Sequence, residues 1–215
     1  KKLLLVISFL ILAGFFAQAQ YVDLSNNAFR AFLVNKYPSC FNASFQLDTT
    51  CTAITTEDSL EFHGFDETSE YSVVKYFDAL QYLDCSDNTI DPLGSTTMMQ
   101  YSSTVRTLIC KRCKVLFGSP GDMPVYFGEG LERIDYSFCD ANLSSVIWPA
   151  GLKYLNITHN RCTSLSNFPL LDTLICRNQE IDPLGINNEP DTLQAFATLT
   201  SLTGLPATLK YLDCS

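Results

Sequence analysis

From Leu80 onward, apolar residues return in a fixed order that reads L-x-x-L-x-C-x-x-N-x-I. Units of this form start at Leu80, Val105, Leu131, Leu152 and Leu171, separated by 25, 26, 21 and 19 residues. Whole phrases recur with them: Tyr82-Leu-Asp-Cys-Ser86 returns as Tyr211-Leu-Asp-Cys-Ser215, and Ile90-Asp-Pro-Leu-Gly94 as Ile181-Asp-Pro-Leu-Gly185. In these five units all 20 residues at the four apolar sites are apolar, whereas of the 25 x positions ahead of the N-site only Tyr82, Ile109, Phe138, Tyr154 and Ile175 are. A degenerate unit follows near Leu193, with no register assigned between Leu193 and Leu202, and a further unit starts at Leu209.

The central L-x-C predicts a short strand, because side chains alternate between the two faces of an extended chain. Leucine and cysteine then point inward and the x residues outward. One unit of 19–26 residues cannot enclose its own apolar side. Stacking units as a parallel ladder, with rungs ~4.8 Å apart, buries that side continuously. Asn88, Cys113, Cys139, Asn160 and Gln179 hold the N-site. An amide there is expected to donate to carbonyls where the chain leaves the strand, with cysteine a weaker donor of similar size.

This pattern resembles the leucine-rich repeat family, and most of all the cysteine-bearing version in secreted proteins of Bacteroidetes-type bacteria. The lead-ins Trp148-Pro-Ala-Gly-Leu152 and Leu205-Pro-Ala-Thr-Leu209 resemble the short Leu-Pro units of bacterial effector repeats. The match covers roughly Leu60 to Ser215, with a long third insert at 117–130 as a departure. The resemblance implies an α/β solenoid: a right-handed superhelix, or horseshoe arc, with a parallel β-sheet on its concave face and a small N-terminal helical cap. Its internalin-like members imply adhesion or surface recognition.

An open ladder exposes its first apolar layer unless something covers it. Residues 20–59 are expected to form that cap around a helix at 25–37. Ser25 stands ready to cap it, Leu24 and Phe29 are spaced as a staple, Ala28, Phe29, Phe32 and Leu33 share one face, and Pro38 ends it. Repeats then fill 60–215 and are expected to be truncated there, since the chain opens on Lys1 without a Met and stops at Ser215. Ahead of the cap, Lys1 and Lys2 precede an uncharged apolar run and Ala17-Gln18-Ala19, the layout of a signal peptide over 1–19. The run from Leu3 to Phe16 would span roughly 21 Å as a helix, short of the ~30 Å hydrocarbon core, so no transmembrane segment is expected in the mature chain. Export predicts a secreted or cell-surface protein and makes a Cys40–Cys51 disulfide plausible.

Composition narrows the function. A formal charge of −9 argues against nucleic acid as partner. Cys110-Lys-Arg-Cys113 matches a redox or zinc C-x-x-C by letter, but the repeat already demands both positions, and the chain has two histidines, His63 and His159. Cys85, Cys110, Cys176 and Cys214 read as buried thiols that act as small apolar fillers. Asp84 and Asp135 fall two rungs apart, a marginal ~9.6 Å for a glycosidase pair and without acid-tuning neighbours. Asp87, Asn88 and Asp91 lack the spacing of a calcium loop. The sequence supports no catalysis, no metal and no cofactor.

What remains is the outward face. Tyr82, Asp84, Ile109, Lys111, Arg112, Asp135, Phe138, Tyr154, His159, Ile175, Arg177 and Tyr211 are its candidate ligand-binding residues. Aromatics interleaved with arginine are the residue types that anchor interfaces. The expected function is non-enzymatic binding of a protein or glycan through the concave face. A recognition module for an effector or enzyme domain beyond Ser215, and a structural envelope or matrix protein, are the alternatives.

Overall fold

The structure, a computed structural model, describes residues 20–24, 27–65, 71–90, 103–115, 129–139, 143, 146–160, 170–177 and 205–214. The signal segment 1–19, the cap residue Ser25, Asp91, the long insert at 117–128, and Ala141, Cys162, Gln179 and Ile181 of the repeat lie outside the described residues. The chain divides into two compact units between Thr55 and Thr56.

In the first unit, β1 (Tyr21–Val22) pairs antiparallel with β2 (Leu47–Asp48). Helix α1 (Asn27–Lys36) lies between them and buries Phe29 and Leu33, one turn apart on one face. It stops one residue short of the expected end. Tyr37 donates the last bond, 2.7 Å to the Leu33 carbonyl, and Pro38 opens a 3-10 turn over Pro38–Cys40. Cys40 is joined to Cys51, Cα to Cα 5.4 Å, just ahead of the short helix α2 (Thr52–Thr55).

The second unit is built on a seven-stranded parallel sheet: β3 (Ser59–Glu61), β4 (Tyr82–Asp84), β6 (Thr107–Ile109), β8 (Arg133–Asp135), β9 (Tyr154–Asn156), β10 (Thr173–Ile175) and β11 (Tyr211–Asp213). Strands that follow one another in the chain are neighbours in the sheet, in that order. Two further strands, β5 (Thr89–Ile90) and β7 (Lys114–Val115), form a separate parallel pair. The register aligns the repeat letter for letter: Leu60, Leu83, Leu108, Ile134, Leu155, Leu174 and Leu212 face one another across successive rungs. β11 pairs directly with β10, while the blurred unit near Leu193 lies outside the described residues.

Each strand is only three residues long, yet the pairing runs further. Before the strand, one carbonyl accepts two N–H groups from the next rung: Gln81 from Arg106 and Thr107, Glu132 from Lys153 and Tyr154, Asp172 from Lys210 and Tyr211. After it, Cys85, Cys110, Tyr136, Ile157 and Cys176 donate their N–H groups to Ile109, Asp135, Asn156, Ile175 and Asp213. Backbone groups that short strands would leave unmet are thus paired rung to rung. The Pro149 and Pro206 carbonyls accept from Leu152 and Leu209, both at 3.1 Å, so the two Pro-Ala-x-Leu lead-ins make the same turn.

All fifteen residues at the first three apolar sites of the five units are at most 5% exposed. Each fully buried Leu or Ile among them contributes about 1.5–3 kcal/mol. The N-site works as expected. Asn88 Nδ2 donates to the carbonyls of Phe62 and Cys85, at 3.0 and 2.8 Å, and Asn160 Nδ2 to that of Tyr136 at 2.6 Å. The thiols of Cys113 and Cys139 donate to the carbonyls of Cys85 and Cys110, at 3.1 and 2.9 Å. Four N-sites therefore each reach the same carbonyl of the preceding rung. The residue before each one, Asp87, Arg112, Phe138 or His159, has φ between 52° and 62°. That left-handed residue swings the N-site side chain back under the strand.

Candidate binding face

Alternation leaves two rows on the sheet face opposite the buried leucines. The first runs Tyr82, Thr107, Arg133, Tyr154, Thr173, Tyr211 on consecutive rungs, and the second Asp84, Ile109, Asp135, Asn156, Ile175, Asp213. Tyr82, Tyr154 and Ile175 are half-buried, and Tyr211 is 49% exposed. The Arg133 guanidinium lies 3.5 Å from the centre of the Tyr154 ring. Stacking of this kind holds a guanidinium at about 0.5–1 kcal/mol where solvent reaches it. Burial, followed by the charges of Asp84 and Glu61, raises the Tyr82 hydroxyl, and Arg133 opposes them. Tyr82 therefore stays a neutral donor at physiological pH.

Two of the expected face residues do not reach solvent. Asp135 is 3% exposed and Ile109 8%. Asp135 turns one carboxylate oxygen to the turn that follows it, where the Ser137 hydroxyl donates at 2.7 Å, and the other to Lys111 at 3.3 Å. Asp84 does the same with Ser86, whose N–H and hydroxyl donate to it at 2.9 and 2.6 Å, and Asn156 with Thr158. These side chains close the turn after the strand, a local device of Asp and Asn. Ile109 is covered on a face that simple alternation exposes.

Arg112, Phe138 and His159 lie in a third row, at the left-handed residue of the turn rather than on the strands. Here neighbours pair across rungs. Arg112 donates from Nε and Nη2 to both oxygens of Asp87, each at 2.6 Å, and Phe138 stacks on His159 with ring centres 4.4 Å apart. The Arg112 hydrogen bond holds the Asp87 carboxyl below the usual range, opposed by burial and helped by the Arg112 charge. His159 Nδ1 is shielded from water and meets no hydrogen-bond partner among the described residues. Arg177 pairs with Asp213 at the last rung, and the Tyr211 hydroxyl donates to the same carboxylate at 3.2 Å.

Arg133 was not among the candidates read from the sequence. Its position was legible, since it shares the x site of Tyr82 and Tyr154; its stacking on Tyr154 was not. Cysteine needs a correction as well. Cys176 and Cys214 are joined by a disulfide, Cα to Cα 4.8 Å, rather than being separate thiols, and Cys214 is exposed on the outermost rung. Cys85, Cys110, Cys113 and Cys139 are free and buried.

Among the described residues, no group of three or more His, Cys, Asp or Glu side chains is placed to hold a metal ion. No helix among them is long and apolar enough to cross a membrane. No family model matches the chain, and no curated protein matches it.

Proposed function

We propose that this chain is an exported repeat protein of the leucine-rich type, a solenoid that binds a protein or glycan ligand at the cell surface through the tyrosine- and arginine-bearing face of its sheet. One observation carries the reading: Tyr82, Arg133, Tyr154 and Tyr211 stand at the same position of their rungs, on one side of a single parallel sheet. Rungs ~4.8 Å apart set Tyr82 and Tyr154 about 14 Å from each other, with Arg133 between them. Rigid aromatics flanking an arginine lose little side-chain freedom on binding and bury large area, the mark of interface anchors. The signal-peptide layout over 1–19, with its apolar run from Leu3 to Phe16, supports export. The repeated N-site bonds and the one-step order of the strands support the solenoid.

Capture from a cell-surface extract and binding to a glycan array, each with wild type against Tyr82→Ala/Tyr154→Ala, tests this. Loss of two anchors at about 1–2 kcal/mol each lowers affinity by about 30–700-fold. Capture unchanged in a variant of unaltered melting temperature removes the assignment.

A further inference from the structure

Two of the buried free thiols stand one rung apart. Cys85 follows β4 and Cys110 follows β6, and the register that pairs Asp84 with Ile109 brings them side by side, Sγ to Sγ 3.1 Å. That is closer than the ~3.5–4.0 Å at which even carbon atoms make their best non-bonded contact. Cys176 and Cys214 follow β10 and β11 in the same relation and are already joined. The geometry is general. Neighbouring rungs lie ~4.7–4.9 Å apart, inside the ~4.4–6.8 Å window of Cα separations that a disulfide spans. A cross-link is therefore open wherever cysteine takes this inward site on consecutive rungs. Among the described residues that happens at Cys85/Cys110 and Cys176/Cys214, while Phe62, Tyr136 and Ile157 interrupt the row elsewhere.

We propose that Cys85 and Cys110 are a second cross-rung disulfide site, oxidised during folding by exchange with an external disulfide, either a small molecule or the active-site disulfide of an oxidoreductase. The thiolate of one cysteine attacks the external disulfide, whose S–S bond breaks and releases one thiol. The other cysteine gives its proton to solvent and attacks the mixed disulfide; the Sγ–Sγ bond forms and the second thiol leaves. Two cysteine sulfurs lose two electrons, and the external disulfide gains them as two thiols.

The pairing is selective because the neighbouring thiols are engaged. Cys113 donates to the Cys85 carbonyl and Cys139 to the Cys110 carbonyl, so drawing either away breaks a bond to buried backbone. Timing follows from burial, since Cys85 and Cys110 are both fully enclosed. Burial, followed by the neighbouring sulfurs of Cys113 and Cys85, pushes the Cys110 thiol well up. The hydrogen bond shared with Cys110 lowers Cys85, but the Cys113 sulfur beside it and burial outweigh it. Protonated, enclosed thiols exchange slowly, so the bond forms while the chain is still open. None of this depends on the ligand-binding face.

The test is to refold the reduced full chain in a buffer of reduced and oxidised glutathione, block free thiols with N-ethylmaleimide in acid, and map linked peptides by mass spectrometry. The expected product is a Cys85–Cys110 peptide pair lacking two hydrogens, alongside Cys176–Cys214. Folded, reduced protein in the same buffer forms the pair at least ~100-fold more slowly. Cys85→Ala and Cys110→Ala each abolish it and leave Cys176–Cys214 in place. Recovery of Cys85 and Cys110 in blocked form, from a sample in which Cys176–Cys214 is oxidised, overturns the proposal. So does linkage of either to Cys113 or Cys139, or equal rates in folded and unfolded chains. The wild-type peptide map decides by itself if a variant fails to fold.

Discussion

Asn88 offers the sharpest test of how the ladder is held. Its side chain is 2% exposed and makes three bonds to backbone: Nδ2 donates to the carbonyls of Phe62 and Cys85, and Oδ1 accepts from the N–H of Phe65 at 2.7 Å. Asn88→Ala removes all three. At about 0.5–1.5 kcal/mol net per bond the loss sums to about 1.5–4.5 kcal/mol, with about 3 the central expectation. The Cys85 carbonyl keeps the Cys113 thiol at 3.1 Å, which holds the figure below the upper end. Asn88→Cys discriminates between lost volume and lost bonding. A thiol donates from this site on two later rungs, so it is expected to restore the bond to Phe62 but not the acceptor for Phe65, costing about 1.5 kcal/mol. Asn88→Asp keeps the acceptor and sets a charge against two carbonyls, and is expected to cost at least as much as alanine. The assay is urea unfolding followed by circular dichroism, with ΔG compared at constant m and thiols counted to confirm that the added one stays free. If alanine and cysteine are equally costly, or alanine costs under about 1 kcal/mol, the N-site is not a hydrogen-bonding device and the reasoning fails.

Three further outcomes follow from the same geometry. Leu155→Ala, at a fully buried rung, is expected to cost about 2–5 kcal/mol in urea unfolding, against about 0.5 or less for Thr107→Ala on the opposite face; comparable losses would contradict the assigned faces. Phe138 has φ 62°, so Phe138→Val is expected to be about 1–2 kcal/mol less stable than Phe138→Asn, both having lost the His159 stack; a thermal melt that ranks valine above asparagine refutes the left-handed turn. For Asp87 and Arg112, the folded carboxyl is depressed chiefly by the Arg112 hydrogen bond, so its stabilisation is present above the ordinary aspartate pKa near 3.9 and is lost as pH falls through the lower folded value. Both side chains are more than a third exposed, so a double-mutant cycle is expected to give at most about 1 kcal/mol at neutral pH and low salt, fading as the carboxylate is protonated in acid; a coupling unchanged in acid counts against the pair.

The rows were legible for different reasons. Leu83, Leu108 and Ile134 announced themselves because alternation along a strand is a local property of three consecutive residues. The N-site was legible because an amide or a thiol recurs at one place in the unit, where the chain leaves the strand and its carbonyls need donors. Asp84 and Asp135 read as outward by the same alternation and are instead turned along the chain, each toward the serine two residues on. The left-handed residue that follows curves the backbone there, and nothing in four mixed side chains, Asp87, Arg112, Phe138 and His159, advertises that shared conformation. The neighbour of β10 was not legible either, since 38 residues separate Leu171 from Leu209 and the spacing alone allowed another rung between them.

By itself, then, the amino-acid order determined which residues form the inward row and which position of the unit carries the N-site, because both depend on offsets within a single unit. Which residues meet across units was decided only in three dimensions. Arg112 finds Asp87, Arg133 covers Tyr154 and Cys176 joins Cys214 because rung-to-rung hydrogen bonds set the register. Those partners stand 21 to 38 residues apart along the chain and one strand spacing apart in space. A repeat of irregular length carries no count that would reveal such pairs in advance.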